Sequence, residues 1–292
     1  MLPSSSHELV NEVQQLLGSE FICTQKTIQK NNTKLNAITI RAVGDVIGEV
    51  FYVDSYKEKT AAKEIVKSFK DTFHKGFSEN VGKTLSDWDW VKDKIRIRFT
   101  ADNNYADNYI HKIYANLYAI PYITIPSQTD KQIKHEIEFS MNIADAHLLQ
   151  YGVTKDEIFK VAIENMEHDA QMLDLAEVIF GFSKSENLLE NVQEYEKAEE
   201  KESMVCVTNT EKMLGASYIL LEKVQKKLEG LFPKGCYLLP SSIHEFIVVP
   251  KTGDPKHLKE MVQDINEDQV EPEERLSDDI YYFKNGVLTI VQ

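Results

Sequence analysis

The chain is poor in the residue patterns that announce a chemistry. It has three cysteines, Cys23, Cys206 and Cys236, odd in number and far apart. No CxxC or Cys/His cluster joins them, which argues against a disulfide framework or a zinc site and points to a reducing cytosol. No P-loop, no GxGxxG and no HExxH occurs. No run approaches the ~20 apolar residues that a membrane span needs. The opening "MLPSSSHELVNEVQQLL" lacks a basic stretch before a continuous apolar one, so it is expected to be a capped helix and not a signal peptide. Basic residues are outnumbered, 33 against 47 acidic, for a net charge of −14. A duplex-binding face needs clustered Lys and Arg, so no direct nucleic-acid binding is expected. The acidic balance suits a basic protein partner, or solubility alone.

What is present is an ordinary globular composition, 42% hydrophobic and 27% charged over 292 residues. Apolar residues at 9, 10, 13, 16 and 17 have helical spacing. Strand patterns follow at 21–28, 35–41 and 46–53, with "KNNTK" and "VGD" as turns. Residues 58–74 read as a helix. "DWDWVKDKIRIRF" is a short helix feeding a strand at 95–99, whose Ile95, Ile97 and Phe99 alternate with Arg96 and Arg98. An aromatic strand region covers 113–125, where Pro121 predicts a break or an edge position. Another strand is expected at 133–141. Gly152 is placed to end one helix and Thr154 with Glu157 to cap the next.

Residues 183–202 hold seven glutamates against three lysines, with no Gly or Pro. That shift predicts an acidic linker or solvated helix between an N-terminal α+β domain, 1–182, and a C-terminal one, 203–292. The N-terminal domain is expected to carry a mixed or antiparallel sheet with helices. In the C-terminal domain strands are expected at 204–207, 236–239 and 243–249. Thr208 with Glu211 suggests a capped helix with Leu214, Tyr218, Leu221, Val224 and Leu228 on its buried stripe. Asp254-Pro255 opens another helix, and Asn285-Gly286 marks a closing hairpin. The order β-α-β-β-α-β predicts the ferredoxin-like split βαβ arrangement, an α+β fold that hosts many functions.

"CVTNTEKMLGASYIL", "YLLPSSIHEFIVVP", "VEPEERLSDDIYYF" and "AHLLQYGVTKDEIFKVAIENM" resemble a bacterial domain-of-unknown-function family common in Gram-positive, clostridial and gut bacteria. "QKNNTKLNAITIR" through "FYVDSY" is similar to the same family's N-terminal half. The resemblance implies a cytoplasmic bacterial protein. It brings no catalytic residue, cofactor or substrate. Members on mobile or accessory DNA give weight to a role in interaction or defence.

Three constellations remain. "TNTEKMLGAS" lies at a strand-to-helix junction, where anions can bind, but Glu211 already complements the dipole there, and Gly215, Ala216 and Ser217 suit close helix–sheet packing. The histidines form no metal pair: His135 and Glu136 are strand neighbours on opposite faces, and His147 does not share a helix face with Asp145. Neither a metal nor a cofactor is expected. Residues 260–279 carry nine acidic residues against one arginine. Glu267, Asp268, Glu271, Glu273, Glu274, Asp278 and Asp279 are therefore candidates for contact with a basic partner.

The stretch "LLPSSIHEFIVVP", 238–250, holds Ser242, His244 and Glu245, the residue types of a hydrolase. With a turn at Ser241-Ser242 and a strand from Ile243, alternation would point His244 and Glu245 apart, leaving Ser242 and His244 as a dyad lacking a local acid. The expectation is a binding or interaction protein without catalytic activity. The alternatives are a hydrolase-like enzyme centred on Ser242 and His244, and an acidic, nucleic-acid-mimicking inhibitor from a mobile element.

Overall fold

In the computed structural model, residues 4–44, 48–57, 60–72, 84–125, 139–180, 186–190 and 204–291 are described. They fall into two units, Met1–Val91 and Lys92–Gln292.

The first unit is built from helix α1 (Ser4–Leu17), strands β1 (Phe21–Lys30), β2 (Thr33–Ala42) and β3 (Glu49–Tyr52), helix α2 (Ala61–Thr72) and the short α3 (Trp88–Val91). The strands form an antiparallel meander in that order. Asn31 at φ 46° turns β1 into β2, a left-handed conformation that Asn tolerates well. Val13 of α1 and Ile65 and Phe69 of α2 bury with Ile38, Ile40 and Phe51 of the sheet. Both helices thus cover one sheet face, as the helical spacing of their apolar residues dictates.

The second unit carries two antiparallel sheets. β4 (Ile95–Thr100), β6 (Leu117–Ile125) and β5 (Lys112–Tyr114) lie in that order, with β7 (Phe139–Asn142) also on β6. Helices α4 (Asn103–Ala106), α5 (Asp145–Tyr151) and α6 (Lys155–Met166) accompany this sheet. Gly152 at φ 67° ends α5, and Thr154 and Glu157 form the expected capping box on α6. Pro121 neither breaks β6 nor lies on an edge strand: it pairs with Ile97 of β4. Its missing N–H is harmless because β5 pairs only as far as Ala119 and β7 begins at Tyr122.

The larger sheet is ordered β13-β12-β10-β11-β9-β8. Its strands are β8 (Ala170–Asp174), β9 (Val205–Asn209), β10 (Cys236–Ser242), β11 (Glu245–Pro250), β12 (Tyr281–Lys284) and β13 (Val287–Ile290). Helices α7 (Leu175–Phe180), α8 (Glu222–Leu231) and α9 (Pro255–Gln269) complete the unit. One sheet face meets β4 through Phe99 and Phe246, 6.5 Å apart and edge-on. On the other face Val262 of α9 buries with Tyr237, Leu239, Val249 and Ile280.

The α+β class holds, but two finer expectations do not. The hairpin β10–β11 occupies the sheet centre, with β12 beside β10 and β9 beside β11. A ferredoxin-like module would instead place its first and third strands in the centre. The added strand β8 then extends the sheet on the β9 side. Because β8 and β9 pair from Ala170 to Asp174, the segment 183–202 connects two strands of one sheet. The unit boundary lies at Val91/Lys92 and not there. Of that segment only 186–190 is described, and it is hooked onto β8: Asn187 Oδ1 accepts from the Met172 N–H, and the Leu188 N–H donates to the Met172 carbonyl.

The backbone at Gly215 passes so close to the sheet that a Cβ there would lie 2.5 Å from Thr208 Oγ1 and 2.7 Å from the His244 carbonyl oxygen. Gly230, in α8, has nothing within 4 Å of the same position. Gly215→Ala is therefore expected to cost roughly 1–3 kcal/mol by overpacking, while Gly230→Ala gains up to about 1 kcal/mol of helix propensity. Urea denaturation of the two variants checks both signs.

Candidate functional site

The residues singled out at 241–245 stand at the tip of the central hairpin. β10 runs through Ser242, Ser242 pairs with Glu245, and the turn itself is Ile243-His244. The expected turn at Ser241-Ser242 is displaced because the register shifts between Pro240 and Ser242, so that Ser241 is absorbed as an extra residue within β10.

Every backbone group of the turn has a partner. The Ile243 N–H donates to the Glu274 carbonyl (2.8 Å), and the Ile243 carbonyl accepts from the Ala216 N–H (3.3 Å). The His244 N–H donates to Ser242 Oγ at 3.0 Å. The His244 carbonyl accepts from Thr208 Oγ at 2.9 Å. Thr208 is a buried residue of β9 and caps no helix; the chain beyond β9 forms a loop and then a 3-10 helix at Gly215–Leu220. The expected capping box with Glu211 is absent because this hydroxyl is drawn sideways onto the hairpin turn. Leu214 lies before that 3-10 helix with φ 55° and is not on a helical stripe. The intervening loop is tied down by Asn209, whose side chain accepts from the Met213 N–H and donates to its carbonyl. The phosphate-cradle reading of "TNTEKMLGAS" finds no long helix N-terminus here.

The imidazole of His244 is fully engaged. Nδ1 accepts from the Leu214 N–H at 3.0 Å. That bond places a proton on Nε2, which faces Glu274 Oε1 at 3.5 Å. A carboxylate thus does stand beside His244, but from the segment after α9 and not from Glu245. Acyl transfer needs the opposite wiring: one ring nitrogen free to take the serine proton while the other donates to the acid. Here the nitrogen away from the acid already holds a backbone amide, and Ser242 Oγ is bonded to the His244 amide, not to its ring. Glu245 turns to Cys206, whose Sγ lies 3.4 Å from Oε2. Burial, reinforced by that carboxylate, pushes the Cys206 thiol far up and keeps it a thiol. Cys206, Thr208 and Glu274 were invisible as members of this cluster in the sequence, because only the β9–β11 register and the return of the chain after α9 bring them there.

The acidic candidates divide into two groups. Asp279 accepts from Lys259 Nζ (2.8 Å) and Asn116 Nδ2 (2.9 Å), and Asn116 accepts in turn from the buried Tyr281 hydroxyl. Asp278 accepts from the buried Asn266 side chain at 2.7 Å. These two join parts of the fold. Glu267, Asp268, Glu271 and Glu274 are exposed, and Glu273 is half-buried. They line the end of α9 and the turn after it, with Arg275 reaching the Val270 and Glu267 carbonyls beneath them. His135 and Glu136 lie outside the described residues. His147 accepts the Ala144 N–H on Nδ1 and stacks on Tyr151. Among the described residues no group of three His, Cys, Asp or Glu side chains is placed to hold a metal ion, and no helix is long and apolar enough to cross a membrane.

These observations define an α+β protein with a polar, hydrogen-bonded hairpin tip. The chain belongs to the family of unknown function DUF5688, whose model matches residues 2–285. No curated protein and no solved structure matches it.

His244→Ala removes the acceptor of the Leu214 amide and leaves a small cavity, so it is expected to cost about 1–3 kcal/mol. Ser242→Ala should cost less, ~0.5–1.5 kcal/mol for one bond. Ser241→Ala, whose hydroxyl takes no part in this network, should fall within ~0.5 kcal/mol of the parent. Thermal melts of the three variants, ranked in that order, check the wiring.

Proposed function

We propose that this chain is a cytoplasmic bacterial binding protein without catalytic activity, docking a basic protein through the acidic rim at the end of α9. The observation that carries the reading is the split among the acidic residues. Asp278 and Asp279 accept from the side chains of Asn266 and Lys259, whereas the exposed Glu267, Asp268 and Glu271 have no salt bridge among the described residues. Carboxylates crowded on one rim repel one another, and a cationic partner relieves that repulsion. Such a rim also suits an inhibitor that imitates a nucleic-acid backbone, one form of the same docking.

The test begins with capture of a partner from the native host, identified by mass spectrometry, and continues with purified partner. Association should slow steeply with salt, because exposed charges are screened over ~10 Å at ~0.1 M. Reversal of Glu267, Asp268 and Glu271 to Lys should lower the association rate at least about tenfold. Unchanged association in that variant contradicts the proposal.

A second reading has one observation in its favour, the carboxylate of Glu274 beside His244. A hydrolase built on Ser242, His244 and Glu274 would have to break the Leu214–His244 bond and turn Ser242 Oγ from the His244 amide to the ring.

A further inference from the structure

Helix α9 leaves an apolar ridge exposed. At about 100° per residue, Leu258, Met261 and Ile265 fall on one side of the helix, next to the buried Val262. Met261 and Ile265 are 38% and 40% exposed, and Leu258 is half-buried. Leu258 also lines a cleft of about 490 Å³ with Leu231 and the buried Phe232. The ridge therefore starts in a hollow with room for a large apolar side chain, the kind of pocket in which a partner anchors.

Carboxylates border that ridge. Glu260, Asp264, Glu267 and Asp268 are exposed, and none has a salt bridge among the described residues. By the same helical spacing Asp264 and Asp268 lie next to the ridge, and Glu260 and Glu267 lie further round the exposed side. From 260 to 274 the chain has no Lys, Arg or His. The lysines of α9, Lys256 and Lys259, stand ahead of that stretch, and Lys259 is bound to Asp279. The helix thus couples an exposed apolar ridge to a row of negative charge alongside it.

This pairing of surfaces selects the occupant. A second copy of the chain, itself at −14, would bring like charge against these carboxylates, and an anionic lipid surface would be repelled in the same way. A helix offers no strand edge, so an extended segment laid on α9 would find no backbone to pair with, whereas a helical one brings its own N–H and C=O groups satisfied. We infer that the partner docks on α9 as a basic amphipathic helix, its apolar residues along Leu258, Met261 and Ile265 and its Lys or Arg side chains beside Asp264, Asp268 and their neighbours. The inference rests on the acidic rim being a docking surface and adds the form of the partner.

Fluorescence anisotropy with the full chain uses a labelled peptide of about 18 residues, Leu on one helical face and Lys on the other, ~27 Å long at ~1.5 Å per residue. Its controls are a scrambled isomer of the same composition, which has no apolar face, and a counterpart with Glu in place of every Lys. The basic amphipathic peptide should bind at least about tenfold more tightly than either control. Met261→Ser with Ile265→Ser should weaken it at least about tenfold, while Met261→Leu with Ile265→Leu retains it. Glu260→Lys, Asp264→Lys and Asp268→Lys together should abolish the preference for the Lys peptide over its Glu counterpart. Equal binding of the scrambled isomer, or unchanged affinity in the folded serine variant, would overturn the inference and leave the charged rim standing. Unchanged affinity after the carboxylate reversal, or no saturable binding of the amphipathic peptide at millimolar concentration, would count against ridge and rim together.

Discussion

The closeness of Gly215 to the tip of the central hairpin governs the second unit. There is no room for a methyl group between this backbone and the atoms of Thr208, Asn209 and His244. That approach lets the Leu214 and Ala216 amides reach His244 Nδ1 and the Ile243 carbonyl. It also sets the 3-10 helix against the smaller sheet, where the buried Ser217 hydroxyl donates to the Ile97 carbonyl. The turn is half-buried, and any of its N–H and C=O groups shut off from water without a partner would cost a few kcal/mol. The serine and histidine at 242 and 244 are explained as the polar groups that complete this accounting.

Charge is divided by the same logic. Where two sheets must be joined, carboxylates are enclosed by donors: Asp169 accepts from Arg96 Nε at 3.2 Å and from the Tyr218 hydroxyl at 2.7 Å, and Asp279 accepts from Lys259 and Asn116. Burial and the neighbouring Asp169 charge push the Tyr218 phenol up, so it stays a donor at any physiological pH. Half-buried ion pairs of this kind fix geometry more than they add stability. The exposed carboxylates of Glu267, Asp268, Glu271 and Glu274 gather at the end of α9 and on the turn after it.

What was legible in the sequence was local. Thr154 with Glu157, Asp254 before Pro255, and Asn285-Gly286 each act within a few residues, and each forms as expected. Asn285 and Gly286 take φ 51° and 70°, the pair of left-handed residues that a two-residue hairpin turn requires. Thr208 with Glu211 carried the same signal and misled, because a hydrogen bond to a residue 36 positions away outweighed the local one. The expected turn falls early because Ser241 is an extra residue within β10, and 236–240, apolar on both faces, has no polar alternation for a bulge to interrupt. Glu274 beside His244, and the order of strands in the larger sheet, depend on the return of the chain after α9, which no residue pattern encodes.

Ser242 and His244 hold the hairpin tip together, and reaction with a fluorophosphonate serine probe tests most directly that they do nothing more. With Nδ1 held by the Leu214 amide and Ser242 Oγ held by the His244 amide, no base activates the hydroxyl, and intact-mass analysis should show no labelling at Ser242. Stoichiometric labelling of Ser242 in the parent, abolished in a folded His244→Ala variant, would contradict it and make the hydrolase the better reading.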